Sequence, residues 1–178
     1  MAQDTIKCYD TPSDVVAALA EDFIAFTYEE ISRTETCIVG ITGGTVINGL
    51  LETLNSAEYI ERVNWERIFF VWTDERFLPQ SHEDNYFNRV KPYLLCKAKG
   101  AAHFFPINTN SKTVIEAADE YEKEIGNVLK ACKKSGLDLA ILDLGEDGHT
   151  AGLFAGSHAL RVTDRNVVAV EDGKVWER

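Results

Sequence analysis

Apolar and polar residues recur along the chain in two patterns. Four segments place apolar residues three and four positions apart, which is typical of amphipathic helices; they are residues 13–31, 45–56, 84–95 and 111–135. Five shorter segments are apolar runs rich in β-branched and aromatic residues, which predict buried strands; they are residues 36–42, 67–75, 102–107, 137–145 and 166–170. The alternation of strands and helices predicts an α/β fold with a mainly parallel sheet flanked by helices.

Individual residues predict where three of these helices begin or end. Ser13, which follows Pro12, is predicted to cap the first helix. Pro92 is predicted to break or end the third helix, because proline lacks a backbone N–H. Gly136 is predicted to stop the long fourth helix.

The composition limits the class of protein. A chain of 178 residues can bury the core of one domain, so residues 1–178 are predicted to form a single unit. Lys and Arg number 18 against 29 Asp and Glu, which gives a net charge of −11. Such a surface repels phosphate backbones and anionic lipids, so neither nucleic acid nor a membrane is expected as a partner. A small anionic substrate would need a local cationic pocket.

The N-terminal segment and the cysteines predict a cytoplasmic protein. The first residues show neither a basic start nor an apolar stretch, so no signal peptide is predicted. Four dispersed cysteines are expected as reduced thiols; they are Cys8, Cys37, Cys96 and Cys132. No C-x-x-C or H-E-x-x-H motif is present, so no metal site is predicted.

The loops that follow the strands hold the candidate chemistry. Because parallel strands end at one edge of a sheet, residues after different strands are expected to meet there. After the first strand, Gly43, Gly44 and Thr45 open a helix whose free N–H groups could hold a phosphate. A tight turn without a ligand explains the two glycines equally well. After the second strand, Arg76 could bind a phosphate and Asp74 could orient a histidine, although a salt-bridged surface turn is the alternative.

The fourth strand leads into a dense group of ionisable residues. The segment LDLGEDGHTAGLF places Asp147 and His149 two positions apart, with Asp143 and Glu146 just before them. An imidazole beside a carboxylate is suited to take a proton near neutral pH, so His149 is the predicted base. Asp143 and Glu146 are equally explained as groups that solvate the turn. Residues 148–154 are predicted to form a short helix whose N–H groups could stabilise an oxyanion.

Taken in order, three segments resemble the 6-phosphogluconolactonase family, which is related to the glucosamine-6-phosphate deaminases. They are TGGTVINGLLETL, WTDERFLPQSHEDNYFNRVKPYLL and LDLAILDLGEDGHTAGLFAGSHAL. The resemblance runs from about Asp10 to the C-terminus, and D-E-R-x-x-P and G-x-D-G-H-T-A-x-L-F are its specific parts. It implies a Rossmann-like fold. It also implies hydrolysis of 6-phospho-D-glucono-1,5-lactone to 6-phospho-D-gluconate, a carbohydrate reaction of the pentose phosphate pathway, with no cofactor.

The resemblance also implies roles for particular residues. His149 would be the general base that activates water, oriented by Asp147 or Asp74. Six further residues would bind the substrate, and Arg76 would clamp its phosphate. They are Gly43, Gly44, Thr45, Arg76, Asn85 and Gly148.

Two other functions stay open at the level of sequence. The related deaminases are similar at Asp74 and His149, but they carry a tyrosine or similar residue in place of Arg76 and a catalytic glutamate in place of Phe154. A non-catalytic domain that binds sugar phosphates is the third possibility, because family members continue beyond the point where this chain ends. The domain is therefore expected to be C-terminally short, with exposed apolar surface. Some family members are fused to glucose-6-phosphate dehydrogenase, so fusion or association with that enzyme is a further expectation.

Overall fold

A computed structural model describes residues 5–96 and 103–171 of the chain. Its helices are α1 (Pro12–Thr34), α2 (Thr45–Leu54), α3 (Tyr86–Cys96) and α4 (Val114–Ala131). Its strands are β1 (Cys37–Ile41), β2 (Ile68–Trp72), β3 (His103–Phe105) and β4 (Leu139–Ile141). Three short 3-10 helices complete the described elements; they are Ile60–Arg62, Trp65–Arg67 and His158–Arg161. Ala102, the predicted first residue of the third strand, lies outside the described residues.

The four strands form one parallel sheet in the order β3-β2-β1-β4. β1 pairs along its whole length with β2, and β2 pairs with β3 on the far side. β4 joins the other edge of β1 through Val39, Gly40 and Ile41. The chain thus builds outward from β1 in one direction and then returns to its opposite side. The predicted α/β fold with a parallel sheet flanked by helices is confirmed, and in such sheets ligands bind where the strand order reverses, here between β1 and β4.

The core lies around the central strand. All five residues of β1 are buried. Phe23 of α1 stacks on Phe70 of β2 with 6.3 Å between ring centroids. Tyr121 anchors α4 to the sheet: its hydroxyl accepts from the backbone N of Trp72 at 2.6 Å and donates to the carbonyl of Phe105 at 2.9 Å. These contacts hold the carboxyl ends of β2 and β3 in place beneath the loops that follow them.

Two of the predicted helix boundaries are wrong by one or more residues. Thr11, not Ser13, caps α1; its hydroxyl accepts from the N–H of Asp14, because Pro12 occupies the first helical position, which suits its fixed φ. α4 ends at Ala131, well before Gly136, because Lys133 already adopts a left-handed φ of 56°.

Pro92 does not break or end its helix. α3 runs through it to Cys96. Pro92 is exposed, and the loss of one backbone hydrogen bond there does not stop the helix.

The predicted fifth strand is also wrong. Residues 166–170 form no strand and instead lie along α4, where the N–H of Asn166 donates to Glu122 at 2.7 Å. The guanidinium of Arg165 fastens the same segment to Asp119 and Glu122. Within the described residues β4 is therefore an edge strand. None of the helices in this part of the chain combines the length and apolar character needed to cross a lipid bilayer.

A buried ion cluster joins α1 to the segment before β4. The ammonium of Lys134 lies 2.6 Å from Glu30 and 2.7 Å from Asp138, and all three side chains are about nine-tenths buried. Hydrogen bonds from Lys134 and then Arg33 lower the pKa of Glu30 from 4.5 to about 2. Because that pKa is lowered by folding, the cluster stabilises the protein above pH 4.5, and this contribution is lost as the pH falls toward 2.

Replacement of Lys134 by methionine is expected to destabilise the protein by about 3 kcal/mol, because Asp138 then stays buried without a cation and Glu30 keeps only Arg33. Urea denaturation at pH 7 measures the change. Lys123→Met is the matched control, since Lys123 is exposed on α4. Equal stabilities of the two variants would show that the cluster contributes nothing.

Candidate active site

The turn after β1 is shaped by close contacts on both of its glycines. A Cβ atom on Gly43 would lie 1.9 Å from the ring of Tyr86, and one on Gly44 would lie 1.6 Å from a carboxylate oxygen of Asp143. α2 begins at Thr45, and no side chain caps its first turn. The glycines are thus required by the close approach of neighbouring side chains, and the turn touches both α3 and the loop after β4.

Arg76, in the loop after β2, is held by a carboxylate and an aromatic ring. Its Nη1 lies 3.0 Å from Asp84, and its guanidinium lies over Tyr86, 4.8 Å from the ring centroid. Its Nε is buried and has no hydrogen-bond partner among the described residues. Tyr86 therefore contacts both the guanidinium and Gly43, which brings the predicted phosphate-binding groups together.

The other predicted residues of this region are buried. Asp74 is 6% exposed, and Asn85 is fully buried at the start of α3. The Asn85 amide donates to the Leu78 carbonyl at 3.3 Å and lies 3.4 Å from the Thr109 hydroxyl. Its carbonyl oxygen accepts from the N–H of Asn88 at 3.0 Å. Asn85 thus anchors the start of α3, and its contact with a substrate stays a prediction.

The loop after β4 presents an imidazole paired with a carboxylate. Nδ1 of His149 lies 2.5 Å from Asp147, and the His149 ring stacks on Phe154 with 4.5 Å between centroids. The His149 side chain is 30% exposed. Gly148 has a φ of 83°, which favours glycine and lets the loop turn between the two residues. The pairing places Asp147 at Nδ1, whereas the role of Asp74 stays a prediction.

The predicted short helix over residues 148–154 is wrong. This segment forms turns and isolated bridges, with the carbonyl of His149 accepting from the N–H of Gly145 at 2.8 Å. Both Gly148 and Ala151 have positive φ values, which are incompatible with a right-handed helix.

Asp143 connects this loop to the glycine turn. Its carbonyl accepts from the hydroxyl of Thr150 at 2.9 Å, while its carboxylate lies against Gly44. Burial raises the pKa of Asp143 above its usual value. The sequence drew attention to Asp143 only as part of an acidic group, and nothing in it pointed to Tyr86. A contact between residues more than forty positions apart leaves no local pattern.

A separate cavity of about 470 Å³ lies between the sheet and α4. Its wall is mostly apolar, and Asp74 is the only one of the nine predicted site residues that lines it. The cavity therefore lies beside the candidate site and does not include His149 or Arg76. Within the described part of the chain, no group of three or more potential ligands could hold a metal ion.

The strand order and the position of these loops define the class of protein. It is a Rossmann-like α/β domain whose candidate site lies beyond the carboxyl ends of β1, β2 and β4. The profile of the family described as glucosamine-6-phosphate isomerases/6-phosphogluconolactonase matches residues 10–177. The chain belongs to this family.

Individual relatives support the same placement. A rice protein (Oryza sativa subsp. japonica) named "Probable 6-phosphogluconolactonase 1" is 29% identical over 181 residues, covering 96% of this chain and 60% of its own length. The solved 6-phosphogluconolactonase from Trypanosoma cruzi matches with a TM-score of 0.79 at 23% identity, over 95% of this chain and 71% of that one. The one from Shewanella baltica matches with a TM-score of 0.78 at 22% identity, over 91% and 67%.

These matches differ in what they show. At such identities the solved structures establish the fold. The chain spans about 60% of the length of the rice protein that it matches. The activity of the whole protein is accordingly a proposal.

Proposed function

We propose that this protein hydrolyses 6-phospho-D-glucono-1,5-lactone to 6-phospho-D-gluconate, with His149 as general base. The observation that carries the proposal is the His149–Asp147 pair, with 2.5 Å between Nδ1 and the carboxylate oxygen. Asp147 holds Nδ1 and leaves Nε2 as the nitrogen that takes the proton. Membership of the family and the names of its relatives support the choice of substrate.

The phosphate of the substrate would lie at the start of α2. The N–H groups of Gly44 and Thr45 and the hydroxyl of Thr45 would donate to it, helped by the helix dipole. Arg76 would supply the cation once its guanidinium turns from Asp84 toward the phosphate. Tyr86, which contacts both Gly43 and Arg76, supports a shared location for these two groups.

The proposed reaction has two proton transfers. Nε2 of His149 takes a proton from water as the water oxygen attacks the lactone carbonyl. The resulting tetrahedral intermediate collapses, the bond to the ring oxygen breaks, and His149 returns the proton to that oxygen. Sugar lactones hydrolyse spontaneously, so a positioned base that contributes about 10²- to 10⁴-fold can supply much of the acceleration.

The related deaminase reaction is disfavoured by Phe154. Deaminases resemble this chain at His149 but carry a catalytic glutamate at the position of Phe154. In this protein the position is occupied by an aromatic ring, which stacks on the imidazole, and not by a carboxylate. The ring can take no proton from the substrate, so the aldose–ketose step lacks its second acid–base group.

A non-catalytic sugar-phosphate-binding domain is the second candidate, and the observation that favours it is that the contacts among Arg76, Tyr86 and Gly43 do not involve His149. In this case the phosphate-binding turn would act without turnover of the lactone.

Three measurements separate these functions. Freshly prepared 6-phosphogluconolactone is added to the protein, and acid release is followed in a pH-stat against the spontaneous rate. Hydrolysis above that rate is expected. Release of ammonia from glucosamine 6-phosphate would instead identify a deaminase. Calorimetric binding of 6-phosphogluconate without hydrolysis would identify a binding domain.

A further inference from the structure

Glu75 is a buried carboxylate to which the proposed reaction gives no role. It is 2% exposed. One of its oxygens accepts from the backbone N–H groups of Arg76 and Tyr86, both at 2.8 Å, and the other accepts from Phe87 at 2.9 Å. The N–H groups of Tyr86 and Phe87 open α3, where helical donors lack partners within the helix. A single side chain thus ties the loop after β2 to the first turn of α3.

The residues that Glu75 holds carry two side chains of the phosphate region. The guanidinium of Arg76 lies over the Tyr86 ring, and the same ring lies against Gly43. Glu75 fixes the backbone of both Arg76 and Tyr86. The position of the guanidinium relative to the glycine turn therefore depends on this carboxylate.

Helix capping accounts for only part of what Glu75 does. Asn85 accepts from the N–H of Asn88, and Glu75 accepts from the two donors before it, but Glu75 also accepts from the N–H of Arg76, which lies outside the helix. A carboxylate in this position is costly: burial raises the pKa of Glu75 to about 7, against the opposing effect of three backbone donors. Because this burial is unfavourable, the place of Glu75 is better explained by the two residues whose backbone it holds, Arg76 and Tyr86.

We propose that Glu75 is a positioning residue for phosphate recognition, which sets the Arg76–Tyr86 pair against the glycine turn. The inference rests on the proposed function, in which Arg76 binds the phosphate. It assigns Glu75 no contact with the substrate. Its effect on affinity is accordingly transmitted through Arg76.

A double-mutant cycle tests this inference through binding. The dissociation constant of 6-phosphogluconate is measured by isothermal titration calorimetry for the parent, Glu75→Gln, Arg76→Ala and the double variant. Glu75→Gln is expected to raise the dissociation constant about tenfold in the parent and less than about twofold in the Arg76→Ala background. Glu83→Gln is the matched control, since it removes an exposed charge from the same loop and is expected to change nothing.

The outcomes that overturn the inference are distinct. An equal effect of Glu75→Gln in both backgrounds would mean that Glu75 acts on the fold in general. No effect, or no binding by the parent, would overturn it as well. If circular dichroism shows that Glu75→Gln is unfolded, Glu75→Asp, which keeps the charge but shortens the side chain, takes its place in the cycle with the same expectation. Hydrolysis is measured separately, so non-additive binding without turnover would contradict the proposed reaction and leave this inference standing.

Discussion

His149→Ala is expected to lower kcat for lactone hydrolysis by about 10²- to 10⁴-fold, which brings the rate close to the spontaneous one. The variant lacks the nitrogen that takes the proton from water. KM is expected to change little, because the imidazole acts on the reacting carbonyl and not on the phosphate. Initial rates with fresh lactone, corrected for spontaneous hydrolysis, measure both quantities.

The control for this variant is His103→Ala. His103 is the exposed first residue of β3. It therefore lies at the amino end of a strand, whereas the candidate site lies beyond the carboxyl ends of the strands. It is expected to keep the parent rate. A His149→Ala variant as active as His103→Ala would rule out His149 as the base.

The same assay distinguishes the two carboxylates that could orient the imidazole. Asp147 lies 2.5 Å from Nδ1 of His149, so Asp147→Asn is expected to lower kcat by leaving the ring without an anionic partner. Asp74 is buried beside Glu75 at the end of β2. A larger loss of kcat in Asp74→Asn than in Asp147→Asn would transfer the orienting role to Asp74.

Periodicity predicted the elements whose own sequence carries the apolar pattern of a helix or a buried strand. The four helices and the first four strands were found, because their apolar spacing directs one face or both faces into a core. The segment over residues 166–170 has the composition of a strand, but a strand also needs a partner backbone. Here Glu122 and Asp119 of α4 hold that segment instead, through Asn166 and Arg165.

The residues of the candidate site likewise include some that the sequence predicted and some that it did not. His149, Asp147 and the glycine turn were predicted, because each lies in a short motif after a strand. Tyr86, Glu75 and Asp143 make contacts between separate loops, and no local sequence pattern predicts such contacts. The predicted helix over residues 148–154 failed for a local reason, since the positive φ of Ala151 is adopted by a residue that normally favours helices.

Arg76→Ala is expected to raise KM for the phosphorylated lactone about 10- to 100-fold with little change in kcat. A charge-assisted hydrogen bond to phosphate contributes about 1.5–3 kcal/mol, and it is made equally in the ground state and the transition state. Unphosphorylated glucono-1,5-lactone should show no such change, because it lacks the group that Arg76 binds. Steady-state kinetics with both lactones measures the difference. Arg89→Ala removes an exposed cation from α3 and is the matched control.

Asp84→Asn tests phosphate binding by Arg76 by removing the carboxylate that is paired with it. Asp84 pairs with Nη1 of Arg76 at 3.0 Å and therefore competes with the phosphate for the guanidinium. Removal of its charge is expected to lower KM several-fold for the phosphorylated lactone alone. Two results would contradict the assignment: an equal rise in KM for both lactones in Arg76→Ala, or a higher KM for the phosphorylated lactone in Asp84→Asn. Either would mean that the guanidinium supports the fold of the loop and does not bind the phosphate.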